Sequence, residues 1–139
     1  MNGTVDPKKA GSKGYGVIKG NSAKSKHLET AVIKVQGEFI DLVNLRSEEY
    51  GEDSRVPEIK IGTPEQDALR RDLTINSMFY NINTGQIEDL TNRGLEDLKN
   101  GIVRTPLEPL KTFVDDPLRV LRTIRFAQRF GFRIADEII

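Results

Sequence analysis

A chain of 139 residues has room for one small domain. Lysine plus arginine and aspartate plus glutamate both total 21, so net charge gives no argument for or against a polyanionic partner. The absence of cysteine excludes disulfide frameworks, cysteine-based zinc sites and thiol catalysis together. No apolar stretch approaches the roughly 20 residues of a membrane-spanning helix, and the N-terminus lacks the apolar core of a signal peptide, so the chain reads as intracellular, with no membrane partner.

Residues 1–25 are rich in Gly, Lys and Ser and predict a mobile tail, within which Gly16-Val17-Ile18 has the composition of a short strand. Ala31 to Val35 and Phe39 to Leu45 are β-branched and aromatic runs separated by Gln36-Gly37, which predicts a hairpin. The period of two in its second strand puts Asp41 on one face with Phe39, Val43 and Leu45. Residues 47–63 are polar and read as a loop. Thr63-Pro64-Glu65-Gln66 then has the grammar of a helix start, with Thr63 as N-cap and Gln66 closing the capping box, and the helix is expected to run to about Tyr80. A turn at Asn83-Thr84-Gly85 leads to a strand over 86–90, a short helix over 94–99 ends at Gly101, and Ile102-Val103-Arg104 is extended. Pro106 and Pro109 predict a loop. A last helix starts with Asp116 as N-cap and Pro117 at its first position, and ends near Gly131. Its apolar arc of Val120, Leu121, Ile124 and Ala127 is expected to face the core, with Arg119, Arg122, Arg125 and Arg129 on the other side.

Three groups of residues carry candidate chemistry. Arg70 and Arg71 offer planar donor forks that match phosphate oxygens, and Asp72 with Asn76 could hold a ribose hydroxyl and a base edge. A solvated charged helix face explains the same composition and is the commoner case. Asp116 and Arg119, three apart at a helix start, combine acceptors and donors that match the Watson–Crick edge of a base, while a capping aspartate with an i,i+3 ion pair accounts for them equally well. Residues 116–133 hold five arginines against one aspartate, and Arg122, Arg125 and Arg129 form a stripe that could track an RNA backbone or simply face solvent. Asp41 is a third candidate. A carboxylate centred in an apolar strand face is costly unless paired or metal-bound, which makes it a possible Mg²⁺ ligand, or an exposed residue. His27, the single histidine, has no visible partner and is set aside.

Taken together, Lys26-His27-Leu28-Glu29-Thr30-Ala31, Ile40-Asp41-Leu42-Val43-Asn44-Leu45-Arg46, Arg70-Arg71-Asp72-Leu73-Thr74-Ile75-Asn76 and Asp115-Asp116-Pro117-Leu118-Arg119 resemble segments of the class II nucleotidyltransferases. More narrowly, they are similar to the tRNA CCA-adding enzymes and the related poly(A) polymerase head domains, in a form closer to the fungal and plant type. Glu88-Asp89-Leu90-Thr91, Asp97-Leu98 and Gly101 fit the same pattern. Each motif alone is weak; their order and spacing make the resemblance specific.

The resemblance implies an α+β fold, a partial polymerase-β-like head sheet followed by the first helix of an all-α neck. It divides the chain into a flexible tail (1–25), a partial head (26–112) and the start of the neck (113–139). It implies that Arg70, Arg71, Asp72 and Asn76 contact the incoming nucleotide, that Asp116 and Arg119 read the base of CTP or ATP, and that Asp41 lies near Mg²⁺. tRNA would be the acceptor of CMP and AMP. The sequence departs from the family where an Asp-x-Asp pair should hold both metal ions: the matching region is rich in Lys, Gly and Ser and contains only Asp6. The expectation is therefore an internal fragment, probing nucleotide but inactive alone. A bacterial-type poly(A) polymerase and a non-catalytic nucleotide- or RNA-binding remnant stay open as alternatives.

Overall fold

The structure, a computed structural model, describes residues 15–18, 30–49 and 58–139. Most of the expected tail, His27 with the Lys26–Glu29 stretch, and residues 50–57 of the expected loop lie outside the described residues. The architecture is α+β, a mixture of small sheets and short helices.

The first sheet is antiparallel, in the order β1 (Tyr15–Ile18), β2 (Thr30–Val35), β3 (Glu38–Val43). Gln36 and Gly37 both take positive φ, 51° and 92°, the conformation of a tight hairpin turn whose twist matches the strands. The register opposes Val32 to Asp41 and Ile33 to Ile40. A second pair, β4 (Arg46–Glu49) with β5 (Glu58–Ile61), is also antiparallel. Gly62, just after β5, runs so close to β4 that a Cβ there would meet the Arg46 carbonyl carbon at 2.6 Å, so only glycine fits without moving β4.

Helix α1 (Pro64–Leu69) starts as its sequence dictates: Gln66 N–H donates to Thr63 Oγ1 at 3.2 Å and Thr63 N–H donates to Gln66 Oε1 at 2.9 Å. It stops at Leu69, eleven residues before the expected end. The reason is local competition for backbone groups. Asp72 Oδ1 accepts the N–H of Leu73 at 3.0 Å, and Arg71 Nη1 takes the Asn76 carbonyl at 2.9 Å. Leu73 is extended, Thr74–Asn76 makes one 3₁₀ turn, and the stretch expected to finish the helix becomes β6 (Phe79–Asn81), paired with β7 (Gln86–Glu88).

Helix α2 (Gly94–Asn100) ends at Gly101 in the left-handed conformation (φ 65°, ψ 47°), as the sequence predicts. Asp97 on this helix is buried; it accepts from Thr74 Oγ1 at 2.7 Å and from Arg104 Nε at 3.1 Å. The extended Ile102–Val103 is β8 and pairs in parallel with β9 (Arg133–Ile134), a contact between segments 31 residues apart in register. The loop expected around Pro109 is instead α3 (Pro109–Asp115), since proline at the first helical position loses no hydrogen bond. Helix α4 (Leu118–Phe130) closes at Gly131 (φ 67°).

The core consists of Leu73, Val103 and Ala127, with Ile75, Phe126, Phe132 and Ile134 packed against it. It joins the segment after α1, strand β8 and α4. Of the expected apolar arc of α4, only Ala127 is buried. Ala127 and Thr123 are buried, but Leu121 is 65% and Ile124 53% exposed. Two arginines of α4, Arg119 and Arg122, reach inward to carboxylates of other elements, and those ion pairs hold the helix with part of its arginine side inward.

Candidate functional site

The site is built around Asp67, in the last turn of α1. Its carboxylate has almost no contact with solvent and accepts from both neighbouring arginines: Oδ1 from Arg70 Nε (3.0 Å) and Nη2 (2.5 Å), Oδ2 from Arg71 Nε (3.1 Å) and Nη2 (2.7 Å). The spacings i,i+3 and i,i+4 put both guanidiniums on the same face as Asp67. Oδ1 also accepts the N–H of Arg46 at 3.1 Å, which ties α1 to β4. Burial pushes the Asp67 pKa up, but the hydrogen bonds from Arg71, Arg70 and the Arg46 N–H outweigh it and hold the carboxyl below its ordinary value.

Arg70 and Arg71 are therefore preoriented rather than mobile. Arg70 Nη1 also donates to Glu48 Oε1 at 3.0 Å, and Arg71 lies over the Phe79 ring, 5.1 Å from its centroid. Asp72 and Asn76 are brought together as their spacing suggested, though through a bend and a 3₁₀ turn instead of a continuous helix: Asn76 Nδ2 donates to Asp72 Oδ1 at 3.4 Å. The other oxygen of Asp72 accepts from Arg122 Nε at 2.6 Å, and Arg122 stacks over Phe126. Arg122 thus finds its counter-charge within the chain, while Arg125 and Arg129 are exposed.

Asp116 and Arg119 lie just before and in the first turn of α4. Asp116 Oδ1 accepts the Leu118 N–H at 3.0 Å, so the aspartate serves the helix start although Pro117 occupies the N-cap position. Arg119 Nε is 3.7 Å from Asp116 Oδ2, and its Nη2 is 3.6 Å from Glu48 Oε2. Both separations are ion-pair distances beyond hydrogen-bond length. Arg119 is held by charge on two sides and its donors are not consumed. The Asp116 carboxylate, 42% exposed, is open beside it.

Of the two placements open for Asp41, the structure shows the exposed one. Every residue of β3 is exposed, including Phe39 and Val43, so its carboxylate is not embedded in a buried apolar face. Among the described residues no group of three or more His, Asp or Glu could hold a metal ion. The residues described here therefore do not fit a two-metal centre. Two residues that organise the site, Asp67 and Glu48, escaped the sequence reading. The signal for Asp67 was present, a carboxylate three and four residues before two arginines; nothing local marks Glu48, because its partners come from other elements.

A preoriented arginine pair beside small antiparallel sheets, and an Asp–Arg pair at the start of α4, thus lie within an α+β fold. The chain belongs to the poly A polymerase head domain family, a family of nucleotidyltransferases, whose pattern matches residues 5–104. It is 58% identical over 133 residues to the mitochondrial CCA tRNA nucleotidyltransferase of Saccharomyces cerevisiae, which covers 94% of this chain and 24% of that protein. A solved apo form of a CCA-adding enzyme superposes with a TM-score of 0.70 at 35% identity, covering 87% of this chain and 28% of the other. The Bacillus stearothermophilus CCA-adding enzyme, solved in complex with CTP, gives 0.68 at 28% identity over 84% of this chain and 27% of its own. The chain spans about a quarter of the length of these relatives. Among the described residues no helix is long and apolar enough to cross a membrane.

Proposed function

We propose that this chain is the nucleotide-reading segment of an intracellular tRNA nucleotidyltransferase that transfers CMP and AMP from CTP and ATP to tRNA 3′ ends, releasing pyrophosphate. The observation that carries the proposal is the state of Arg119: a guanidinium fixed by charge between Glu48 and Asp116 with its donors still available. A planar fork with a neighbouring open carboxylate offers donors and an acceptor together, which is what hydrogen-bonded selection of a base edge requires. Arg70 and Arg71, pinned by Asp67, supply positive charge toward the triphosphate, and Asp72 with Asn76 supplies polar groups for the ribose. Arg125 and Arg129 are proposed to meet the RNA backbone, with Arg122 contributing charge from its pair with Asp72. The relatives solved with CTP, with ATP and with tRNA support this choice of partners.

We propose a tail (1–25), a partial head (26–112) and a helical neck (113–139), with β1 of the tail joining the head sheet through β2 and residue 113 lying inside α3. Mg²⁺ is proposed to be needed by the enzyme as a whole, held chiefly by carboxylates other than those described here, with Asp41 at most an accessory ligand.

The test is incorporation of labelled CMP and AMP, with Mg²⁺, into tRNA lacking its 3′ end. It is run with the 139-residue chain and with an extended enzyme, this chain joined to the remaining length of its relatives. The extended enzyme is expected to add CMP and then AMP, and the chain alone to add neither. Runs of AMP only would replace the reading with a poly(A) polymerase, and transfer by neither protein, with nucleotide still bound, would leave a non-catalytic binding module.

A further inference from the structure

Two ion pairs fasten α4 to the residues before it, and they differ in kind. Arg122 is anchored through Nε, with a 2.6 Å hydrogen bond to Asp72 and an aromatic ring beside its guanidinium, while its side chain stays 42% exposed. Arg119, one turn earlier, makes no hydrogen bond to a carboxylate and is held by charge and by burial, its side chain being 12% exposed. The distant half of that charge comes from Glu48 on β4, whose carboxylate is 7% exposed.

Glu48 faces three guanidiniums. Its Oε1 is 3.0 Å from Arg70 Nη1 and 3.3 Å from Arg46 Nε, and its Oε2 is 3.6 Å from Arg119 Nη2. Of the three, only Arg70 is in hydrogen-bond geometry with it: Arg46 Nε is buried without a hydrogen-bond partner despite its short distance, and Arg119 lies beyond hydrogen-bond length. Oε1 lies nearest the arginines of β4 and α1, and Oε2 faces Arg119. Glu48 is thus the link between the Asp67–Arg70 cluster and the start of α4.

We infer that Glu48 is a specificity-determining positioning residue: it fixes the plane of the Arg119 guanidinium and thereby which base edge the Asp116–Arg119 pair accepts. This rests on the proposed reading of that pair as the base-selecting element. The physical basis is that a planar donor fork discriminates only when its plane is fixed. Arg119 is restrained at Nη2 by Glu48 and at Nε by Asp116. Without Glu48 the remaining restraint is a half-exposed carboxylate on the same stretch of chain, about which the guanidinium can turn. Selection among bases then falls more than affinity for any one of them.

The test uses the extended enzyme with Glu48→Gln, which keeps the shape and removes the charge, and Glu48→Asp, which keeps the charge and withdraws it by one methylene. The values of kcat and KM are measured separately for CTP, ATP, UTP and GTP. With Glu48→Gln, selection of CTP over UTP is expected to fall on the order of tenfold, about 1.4 kcal/mol of discrimination, with a smaller fall for Glu48→Asp. Adding Glu48→Gln to Arg119→Ala should produce no further loss of selectivity. Equal losses for all four nucleotides together with a lower melting temperature would make Glu48 structural only, and additive losses in the double variant would separate it from Arg119. If Arg119→Ala abolishes selection and neither Glu48 variant changes it, the Glu48 inference fails alone. If Arg119→Ala leaves selection intact, the base-reading assignment has failed first. Should the glutamine variant not fold, the aspartate variant carries the same comparison.

Discussion

Asp67→Asn is expected to destabilise the protein by about 3 kcal/mol, the lower end of the cost of removing one partner from a buried ion pair. The low end applies because the carboxylate is covered while its partners are not: Arg70 is 18% and Arg71 34% exposed, so each can recover some hydration. The amide conserves volume, so the loss is charge and acceptor capacity. Five donor contacts converge on the two carboxylate oxygens, four from the guanidiniums and one from the Arg46 N–H. The change should appear as a lowered denaturation midpoint with an unaltered denaturant slope; a loss below about 1 kcal/mol would mean that water replaces the carboxylate without penalty. The pH dependence gives a second check. The Asp67 pKa is lowered on folding, so its contribution is present above the unfolded value of about 3.9 and is lost as pH falls through the folded value. The gap between parent and variant should therefore be constant near neutrality and shrink below about pH 4. Asp89 and Glu137 are also held below their ordinary values, but they titrate in both proteins and cancel in the difference.

What could be read from the sequence divides by range. Signals complete within four residues were legible: the Thr63–Gln66 capping box, the Gln36-Gly37 turn, the left-handed glycines that stop α2 and α4. Periodicity over a longer window misled. From Pro64 to Tyr80 the apolar spacing fits a helix, yet Asp72 and Arg71 use their side chains on backbone groups that a helix would need. The face of α4 was legible only in part for a related reason, since hydrophobicity was set against charge without knowing that Asp72 and Glu48 would meet Arg122 and Arg119. The parallel pairing of β8 with β9 has no local signature at all. In the site, the residue types and their proximity were legible for Asp72 with Asn76 and for Asp116 with Arg119. The carboxylates that organise the arginines were not, because the reading looked for groups facing a ligand and passed over those facing another side chain.

Arg119→Ala, compared with Arg122→Ala in the extended enzyme, separates recognition from attachment. The two side chains leave the same helix one turn apart, and both approach a carboxylate from another element. Arg119 makes no contact within hydrogen-bond length, but its side chain is 12% exposed beside Glu48 at 7%, so its removal costs packing and charge, about 1–3 kcal/mol. Glu48 keeps Arg70 and Arg46 as counter-charges, and Asp116 keeps the Leu118 N–H and solvent. A base edge that loses a paired donor fork loses about 1–3 kcal/mol of discrimination, so selection of CTP and ATP over UTP and GTP should fall roughly tenfold to a hundredfold. Arg122→Ala should cost stability without selectivity. It removes a 2.6 Å bond from Asp72, whose residue is 8% exposed, and strips the guanidinium from the face of Phe126; with the Arg122 side chain 42% exposed, the cost is about 1–3 kcal/mol. Selectivity should change little, because Asp116 and Arg119 are untouched. The readouts are the ratio of kcat/KM values across the four nucleotides and the melting temperature of each variant. Parallel changes of selectivity in both variants would return Arg119 to the role that composition first suggested, an arginine that only completes the start of a helix. A loss of selectivity confined to Arg119→Ala would mean that one turn of helix separates the residue that attaches α4 from the residue that reads the nucleotide.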